Sequence, residues 1–554
     1  MTACLTYLDF FPTSTQRTAV TTAANCCRNL ASDSFPVVRD VMPTLLNVLS
    51  SNDQKVVEQG CLCVSGIVES FKYQPQNLEN LIQPEMLKAV LRLLLPGTTN
   101  LIGPHIHTQF LRVLAITAKA SPRLSIELLK MDVVDTLYQI LTGVSPPQDV
   151  ENTAVKMDSV LVMQALIHRP REQVYEALNV VCELLPGVPP REASRGDNLL
   201  SSYFDSSMSI GLKSPKTKED PEERRKMLEN CTPELKRFAT ILFPTLTDAY
   251  SSTVNLHVRQ KVLIAQLKML HILEPALTED ALRTVPYASF LASILSQKDH
   301  PSLVSLALRC SELLFHRLGH VYQHQFHREG VISEIVKLSE APLSTDQGDR
   351  MQGLVDRRKS IEESRDANVD AENAGDDGKK DGNSTHDEDD DDDDDGDDLD
   401  DDEGDDLDDD NDDDNDDDLS DSESSSLPGH PSAARMKIAL NDLVIRDAHA
   451  FLKIYAADQG GTHRAEALKI LTELQSLSEK IRACCSSKDD QDALPLFQTL
   501  ASYFDGDALE SITSSELLNS GIIQVLLDVL GDNKGRFSTF PSSLLVGAHV
   551  IQPS

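Results

Sequence analysis

The chain has 554 residues, of which 40% are hydrophobic and none is Trp, and its formal net charge is −38. A chain of this length exceeds what one compact core can organise, so we expect several domains or a long repeat array. The charge is local, because 26 acidic residues lie between Asp387 and Asp418. The sequence has no clustered Lys and Arg of the kind that binds nucleic acid, so we predict no nucleic-acid partner.

The N-terminus, MTACLTYLDFFPTS, has no basic segment followed by a long apolar run, so it does not predict a secretory signal. No stretch reaches the roughly 18 to 20 apolar residues of a membrane span. We therefore expect a protein of the cytoplasm or the nucleus that makes no membrane contact. Its ten Cys include no CxxC pair, and we interpret them as reduced core thiols.

The first elements along the chain are amphipathic helices that repeat. Apolar residues at helical spacing occur twice, 38 positions apart, as Ala19, Ala23, Cys26 and Leu30 and then as Val57, Cys61, Val64 and Val68. Between them lies a third apolar stripe, made of Val38, Val41, Leu45 and Leu49. A helical period near 40 without strands is typical of armadillo and HEAT solenoids, whose units stack because one helical pair cannot bury both of its apolar faces. The alternative is an ordinary helical bundle.

One phrase, a turn followed by an apolar helix, returns in three distant places. Its copies are KMDVVDTLYQIL at 130–141, REGVISEIVKL at 328–338 and NSGIIQVLLDVL at 519–530, with Asp132, Gly330 and Gly521 aligned at the turn. This phrase is typical of the last helix of an armadillo repeat. We therefore predict an all-α, armadillo/HEAT-like superhelical solenoid along the whole chain, interrupted by a disordered acidic tract.

Composition divides the chain into six predicted segments. They are armadillo-like repeats at 1–190, a disordered insert at 191–232, armadillo-like repeats at 233–344, a disordered acidic low-complexity linker at 345–432, C-terminal helical repeats at 433–531 and an irregular tail at 532–554. The acidic tract has three interpretations: a solubilising linker, a mimic of nucleic acid that binds basic partners, or a kinase target. Ser420, followed by Asp421 and Glu423, is the candidate phosphosite.

The sequence offers little for catalysis. Cys182 and Cys310 lie within apolar helical stretches, and Cys484-Cys485 lies near a helix end. A nucleophilic Cys needs a lowered pKa and a neighbouring base, so buried structural thiols are the favoured interpretation. Glycine-rich phosphate loops are absent from the sequence. We predict no catalytic residue and no cofactor.

Four histidines have helical spacing and are the candidate metal ligands, namely His316, His320, His324 and His327. They share one face if the helix continues through all of them, and two His four residues apart can chelate a transition metal. No acidic or Cys partner is placed with them. We favour a polar helix face that lines the solenoid groove, and we predict no metal.

Several stretches together resemble the armadillo region of HECT-type E3 ubiquitin ligases, closest to the ubiquitin-fusion-degradation group that includes the large thyroid-receptor-interacting ligase. They are LTYLDFFPTSTQRTAVTTAANCCRNL at 5–30, VVEQGCLCVSGIVESF at 56–71, PREQVYEALNVVCELLPGVP at 170–189, FHREGVISEIVKLSE at 326–340 and ALESITSSELLNSGIIQVLL at 508–527. In that family the armadillo region captures substrates and a C-terminal HECT domain carries ubiquitin on a cysteine. The chain departs from the family pattern because it starts inside the repeats, ends before any HECT domain and lacks a Trp-rich module.

The resemblance implies a substrate-recognition or scaffold region of such a ligase, inactive alone, in ubiquitin-fusion and proteasomal degradation. Its implied partners are ubiquitinated or degradation-marked proteins, with ubiquitin and proteasome components as further candidates. The alternative is an armadillo adaptor for basic cargo without a role in ubiquitination, which the absence of Trp disfavours, because importin-like grooves carry regularly spaced Trp and Asn. On the polar side of the helices, the candidate groove residues are Gln16, Arg17, Gln54, Lys55, His105, His257, Arg259 and His300.

Overall fold

The computed structural model describes residues 1–95, 102–147, 159–188, 221–283, 285–343, 433–457, 467–487, 490–504 and 512–532. Within these ranges the chain forms 24 α-helices and no strand. It divides into two units, Met1–Leu343 with Met436–Ser554 and Ser344–Arg435. The predicted acidic linker, including Ser420, and the tail from residue 533 lie outside the described residues.

The helices of residues 1–188 are α1 Thr2–Leu5, α2 Thr13–Cys26, α3 Phe35–Val48, α4 Gln54–Phe71, α5 Pro75–Leu81, α6 Pro84–Leu94, α7 Pro104–Ala120, α8 Pro122–Lys130, α9 Val133–Thr142, α10 Ser159–His168 and α11 Arg171–Leu184. Those of residues 221–343 are α12 Pro221–Glu229, α13 Thr232–Ser252, α14 Leu256–Ile272, α15 Pro275–Leu282, α16 Tyr287–Leu295, α17 Pro301–Arg317, α18 Gly319–Arg328 and α19 Val331–Ser339. Those of residues 433–532 are α20 Ala433–Ala457, α21 Lys469–Ser487, α22 Asp490–Ser502, α23 Ser514–Asn519 and α24 Ile522–Asp532.

Six helices pack one against the next in chain order, and we call them the helix stack: α2, α4, α7, α11, α14 and α17. Neighbours in the stack are parallel. Arg17, near the start of α2, contacts Asp53 before α4, while the backbone N–H of Leu30, beyond the end of α2, donates to Ser70 Oγ near the end of α4 (3.0 Å). The stack therefore has an N-terminal edge and a C-terminal edge. This arrangement confirms the predicted all-α solenoid.

The apolar stripes of the helices form a continuous core from Leu5 to Phe451. Burial of each fully enclosed Leu, Val or Phe contributes about 1.5 to 3 kcal/mol to folding. A second, smaller core joins the C-terminal helices through Leu474, Leu477, Ile481, Leu500, Ile522 and Val525. Two of the three predicted opening stripes are confirmed, because Val57 to Val68 in α4 and Val38 to Leu49 around α3 are buried at each predicted position.

The stripe predicted for α2 is confirmed at Ala23, whereas Ala19 and Leu30 are only half-buried against the core. Cys26 is exposed, and the buried positions are Val20, Ala23, Ala24 and Cys27. Both stripes have helical spacing, and contact with α4 decides between them. The backbone around Cys27 lies so close to α4 that a Cβ on Gly66 would stand 2.7 Å from Cys27 O.

The repeated turn phrase has one backbone geometry in all three copies. Asp132, Gly330 and Gly521 have φ of 55°, 81° and 74°, which is the left-handed region. The residue that follows each of them is buried at the start of a helix. A residue with positive φ turns the chain sharply into the next helix, which is why Gly occupies two of the three positions.

The predicted insert at 191–232 requires a correction at its end, since α12 lies within it. Arg224, Leu228 and Cys231 are buried at near-helical spacing in a sequence that is otherwise polar. The apolar content is too low for periodicity alone to predict a helix, and packing against α8 supplies the missing stabilisation. The rest of the insert, residues 191–220, lies outside the described residues.

Candidate partner-binding edge of the helix stack

All eight predicted groove residues lie at the N-terminal edge of the stack. They are Gln16 and Arg17 in α2, Gln54 and Lys55 in α4, His105 in α7, His257 and Arg259 in α14, and His300 directly before α17. Gln16 and Arg259 are half-buried, and the other side chains are exposed. The structure brings these residues onto one edge in chain order. Their role in binding a partner stays a prediction.

Arg17 is committed to a contact between neighbouring helices. Its Nη2 lies 2.6 Å from Asp53 Oδ2, and its Nε donates to the same carboxylate. Asp53 Oδ1 also accepts from the backbone N–H of Val56 (3.0 Å) and so caps α4. Hydrogen bonds from Arg17 hold the pKa of Asp53 below its usual range. This pair aligns the starts of α2 and α4.

Arg259 is likewise held within the protein. Its Nε donates to Thr253 O (2.7 Å), and its guanidinium lies 4.9 Å from the centre of the Tyr250 ring. Planar stacking on an aromatic face suits Arg better than Lys. Gln54, by contrast, donates to a side chain of its own helix, Glu58 Oε1 (3.0 Å). A partner that binds Gln54 therefore breaks a hydrogen bond within α4. A partner that binds Arg17 or Arg259 must instead break the contacts that hold those side chains within the protein.

Further polar side chains link the stacked helices near this edge, and the sequence analysis did not identify them. The backbone N–H of Gly103, the residue directly before α7, donates to Glu58 Oε1 (3.2 Å). Gln173 Nε2 donates to Pro104 O (3.0 Å). Glu58 is the fifth residue of α4, as Arg17 is of α2. This shared helix position was the available signal in the sequence.

A polar network crosses three neighbouring helices, α7, α11 and α14. Arg112 Nε lies 3.0 Å from Glu176 Oε1, and Asn179 Nδ2 donates to Glu176 Oε2 (3.2 Å). Lys261 Nζ donates to Asn179 Oδ1 (2.7 Å). Glu176 is buried, while about half of the Arg112 side chain is exposed. The network fixes the lateral register of the stack and leaves the Arg112 side chain accessible to a partner.

The described cysteines are mostly buried thiols. Burial raises the pKa of Cys182, and burial raises that of Cys310 to about 12. Thiols with raised pKa values stay protonated near neutral pH and are weak nucleophiles. Cys26, which we interpreted as a core thiol, is exposed. The side chain of Cys485 lies outside the described residues.

The four candidate histidine ligands do not share one helix face. The helix breaks at Leu318, between α17 and α18, so His316 and His320 lie on different helices. His320 Nε2 lies 3.2 Å from Glu279 Oε2, and His327 Nε2 lies 2.6 Å from the Tyr455 hydroxyl. In the described ranges no group of three or more His, Cys, Asp or Glu could hold a metal ion. None of the described helices is long and apolar enough to cross a membrane.

Comparison with known proteins shows that this chain is similar to ubiquitin ligases. The E3 ubiquitin-protein ligase TRIP12 of Danio rerio is 27% identical over 386 residues, which is 61% of this chain and 18% of that protein. The E3 ubiquitin-protein ligase UPL3 of Arabidopsis thaliana is 29% identical over 384 residues, 66% of this chain and 20% of that protein. Ubiquitin fusion degradation protein 4 of Saccharomyces cerevisiae is 22% identical over 347 residues, which is 60% of this chain and 21% of that protein.

The chain corresponds to a region of HECT-type E3 ubiquitin ligases. It spans about a fifth of the length of these relatives. No protein-family model matches it. Among solved structures, an engineered protein covers 57% of the chain at 13% identity with a TM-score of 0.36, too low to support a comparison. The relationship to HECT-type ligases therefore rests on sequence, and it agrees with the family resemblance of the five stretches between residues 5 and 527.

Proposed function

We propose that this chain is the substrate-recognition and scaffold region of a HECT-type E3 ubiquitin ligase that acts in ubiquitin-fusion and proteasomal degradation. Similarity to the ligases named above, over 60% to 66% of the chain, supports the proposal. The observation that carries it is the N-terminal edge of the stack. The eight predicted residues lie there on α2, α4, α7 and α14 and directly before α17, and six of them are exposed. Such extended surfaces suit protein partners.

The partners expected at this edge are ubiquitinated or degradation-marked proteins in the cytoplasm or nucleus, with ubiquitin and proteasome components as further candidates. We assign no transfer step to Cys182 or Cys310, because thioester transfer needs an accessible thiol with a lowered pKa. Burial instead raises the pKa of Cys182 and Cys310. The chain in this proposal binds and positions its substrate.

The test is binding of a fluorescent ubiquitin-fusion protein to the purified chain. Lys55→Glu reverses an exposed charge at the N-terminal edge and should weaken binding about threefold to tenfold, as loss of one interfacial contact does. Lys88→Glu makes the same charge change on α6, outside the stack, and should leave affinity unchanged. Equal affinity for both variants and the unaltered chain would place the substrate elsewhere.

The adaptor alternative gives a different result in the same assay. A carrier of basic cargo binds a Lys/Arg-rich peptide and ignores the ubiquitin-fusion protein. If the chain bound the basic peptide more tightly, and moderate salt abolished that binding, the adaptor function would replace the ligase proposal. Preference for the ubiquitin-fusion protein, retained in salt, would support it.

A further inference from the structure

A pocket of about 190 Å³ opens at the C-terminal edge of the stack, where α12, α13, α14, α15 and α17 meet. Leu228, Leu235 and Leu273 supply apolar lining, and Arg225 and Arg317 line it as well. A cavity of about 150 Å³ lined by apolar side chains can hold benzene. The pocket therefore has room for one Leu-sized or Phe-sized side chain from outside.

Part of the positive charge at this edge has a structural explanation. Lys268 Nζ donates to Cys182 O at the end of α11 (2.6 Å), and Arg317 Nη2 donates to Leu273 O beyond the end of α14 (2.5 Å). Cations that bond the last carbonyl groups of a helix offset its dipole and stabilise its end. Capping thus accounts for Lys268 and Arg317, and it fixes the Arg317 guanidinium at the pocket wall.

Capping does not account for Arg225. Its side chain is exposed on α12, lines the same pocket as Arg317 and forms no hydrogen bond or ion pair with any residue in the described ranges. The two guanidiniums lie close enough that Arg225 adds to burial in lowering the pKa of Arg317. Burial and then Arg317, Arg225 and Arg309 lower the pKa of His271. Of these basic groups, Arg225 and Arg317 line the pocket.

Two acidic side chains also line the pocket, and they limit what it can accept. Glu229 lies one helical turn after Arg225 on α12, and Glu274 directly follows Leu273; both are exposed. Their negative charges lower the net positive charge of the rim, which disfavours a partner that binds through charge alone. An acidic group gains most beside Arg225, because Arg binds carboxylate and phosphate in a bidentate geometry, whereas both terminal nitrogens of Arg317 already donate to Leu270 O and Leu273 O.

We propose that this pocket binds a linear segment of a partner protein, whose Leu-sized or Phe-sized side chain enters the cavity while an adjacent acidic or phosphorylated residue pairs with Arg225. The apolar cavity selects the apolar side chain of this segment, and Arg225 selects its acidic residue. The site lies at the opposite edge from the residues of the proposed substrate-binding role. It does not depend on that role.

The test is fluorescence anisotropy with the whole chain and short labelled peptides. One peptide carries a single Phe flanked by Asp, and a second carries phosphoserine beside the Phe in place of Asp. Arg225→Glu should weaken the tighter peptide by at least about tenfold, because it replaces an attractive charge pair at the pocket with a repulsive one. Lys226→Glu, the adjacent exposed residue outside the pocket, should change affinity less than about twofold.

Control peptides separate the apolar from the acidic contribution. Replacing the Phe by Ala, or the acidic residues by Asn, should each weaken binding about tenfold or more. The proposal would be overturned if the Ala peptide bound as tightly as the Phe peptide, or if Lys226→Glu weakened binding as much as Arg225→Glu. It would also be overturned if neither acidic peptide bound. Circular dichroism of the Arg225→Glu chain checks that it folds, which its exposed position leads us to expect. Tighter binding of the phosphoserine peptide than of the Asp peptide assigns a phosphorylated partner, and the reverse assigns an acidic one.

Discussion

His107, in the first turn of α7, is a half-buried ring with one unsatisfied nitrogen. Its Nε2 lies 3.2 Å from Leu94 O, and its Nδ1 is buried without a hydrogen-bond partner in the described structure. A neutral ring that donates from Nε2 satisfies this geometry. Protonation of Nδ1 would bury a charge that no acceptor stabilises. Burial, with Arg169 as a further contribution, lowers the pKa of His107.

This geometry predicts a loss of stability in mild acid. The pKa of His107 is lower in the folded state than its value of about 6.5 in the unfolded chain. As pH falls below about 6.5 the unfolded state therefore takes up the proton first, and the free energy of unfolding decreases until the folded state also protonates. His107→Gln keeps a donor for Leu94 O and should flatten this dependence. Urea unfolding at several pH values from 7.5 to about 5 measures it; an unchanged slope in the variant would contradict the assignment.

The sequence predicted where the candidate site residues lie, but not which side chains they contact. Gln54 and Arg17 were both predicted because they are polar residues at the start of a helix. Only the structure shows that Arg17 already binds Asp53, whereas Gln54 bonds within its own helix. Asp53 is 36 positions away from Arg17, and helical periodicity says nothing about which side chains meet across that distance.

At the scale of the element, α4 lies very close to the end of α2 at Gly66. A Cβ built there would lie 2.7 Å from the carbonyl oxygen of Cys27, a backbone atom that cannot rotate away. The close approach brings Cys63 Sγ to 3.9 Å from Val20 O. Gly in a helix interior ordinarily costs about 1 kcal/mol relative to Ala. Here that cost permits the contact between the first two helices of the stack.

Gly66→Ala should destabilise the protein by about 1 to 3 kcal/mol, because the overpacking cost exceeds the gain in helix propensity. Ser65→Ala is the matched control on the same helix. Its hydroxyl is buried without a hydrogen bond in the described structure, so its removal should be neutral or stabilising. Chemical unfolding of both variants measures the difference. Stabilisation by Gly66→Ala would show that the helices separate at no cost.

The repeated turn phrase was the most accurate prediction about an element. Its aligned residues, Asp132, Gly330 and Gly521, all have positive φ, because a short turn that reverses into a helix needs that geometry whatever surrounds it. The stripe in α2 was not predictable to the residue. Ala19 and Val20 are adjacent and both apolar, and the neighbouring helix selects which of them faces the core.

At the scale of the unit Met1–Leu343 with Met436–Ser554, one buried ion pair joins segments 188 positions apart. Arg328 Nε and Nη2 lie 3.0 Å and 3.1 Å from the two carboxylate oxygens of Glu516. Glu516 also accepts from the backbone N–H of Thr513 in a capping box at the start of α23, and Thr513 Oγ1 donates to Arg328 O (3.0 Å). Side chains of α23 thus complete the end of α18.

Glu516→Ala should cost about 3 to 5 kcal/mol, because it leaves the Arg328 guanidinium buried without its carboxylate and removes the cap of α23. Glu334→Ala breaks the more exposed pair with Lys337 and should cost less than about 1 kcal/mol. Urea unfolding followed by circular dichroism compares the two. Similar small decreases in the free energy of unfolding of both variants would indicate that the C-terminal helices pack independently of α18.

The sequence by itself determined the helical class, the repeating order and the sharp turns, because these follow from side-chain spacing and backbone geometry within one repeat. It also placed Lys55, His105 and His257 at helix starts. Only the tertiary structure decided the register of α2, the folding of α12, the commitment of Arg17 to Asp53 and the pocket beside Arg225 and Arg317. Each of these depends on residues dozens of positions apart, which become neighbours only when stacking buries the apolar faces of successive helices.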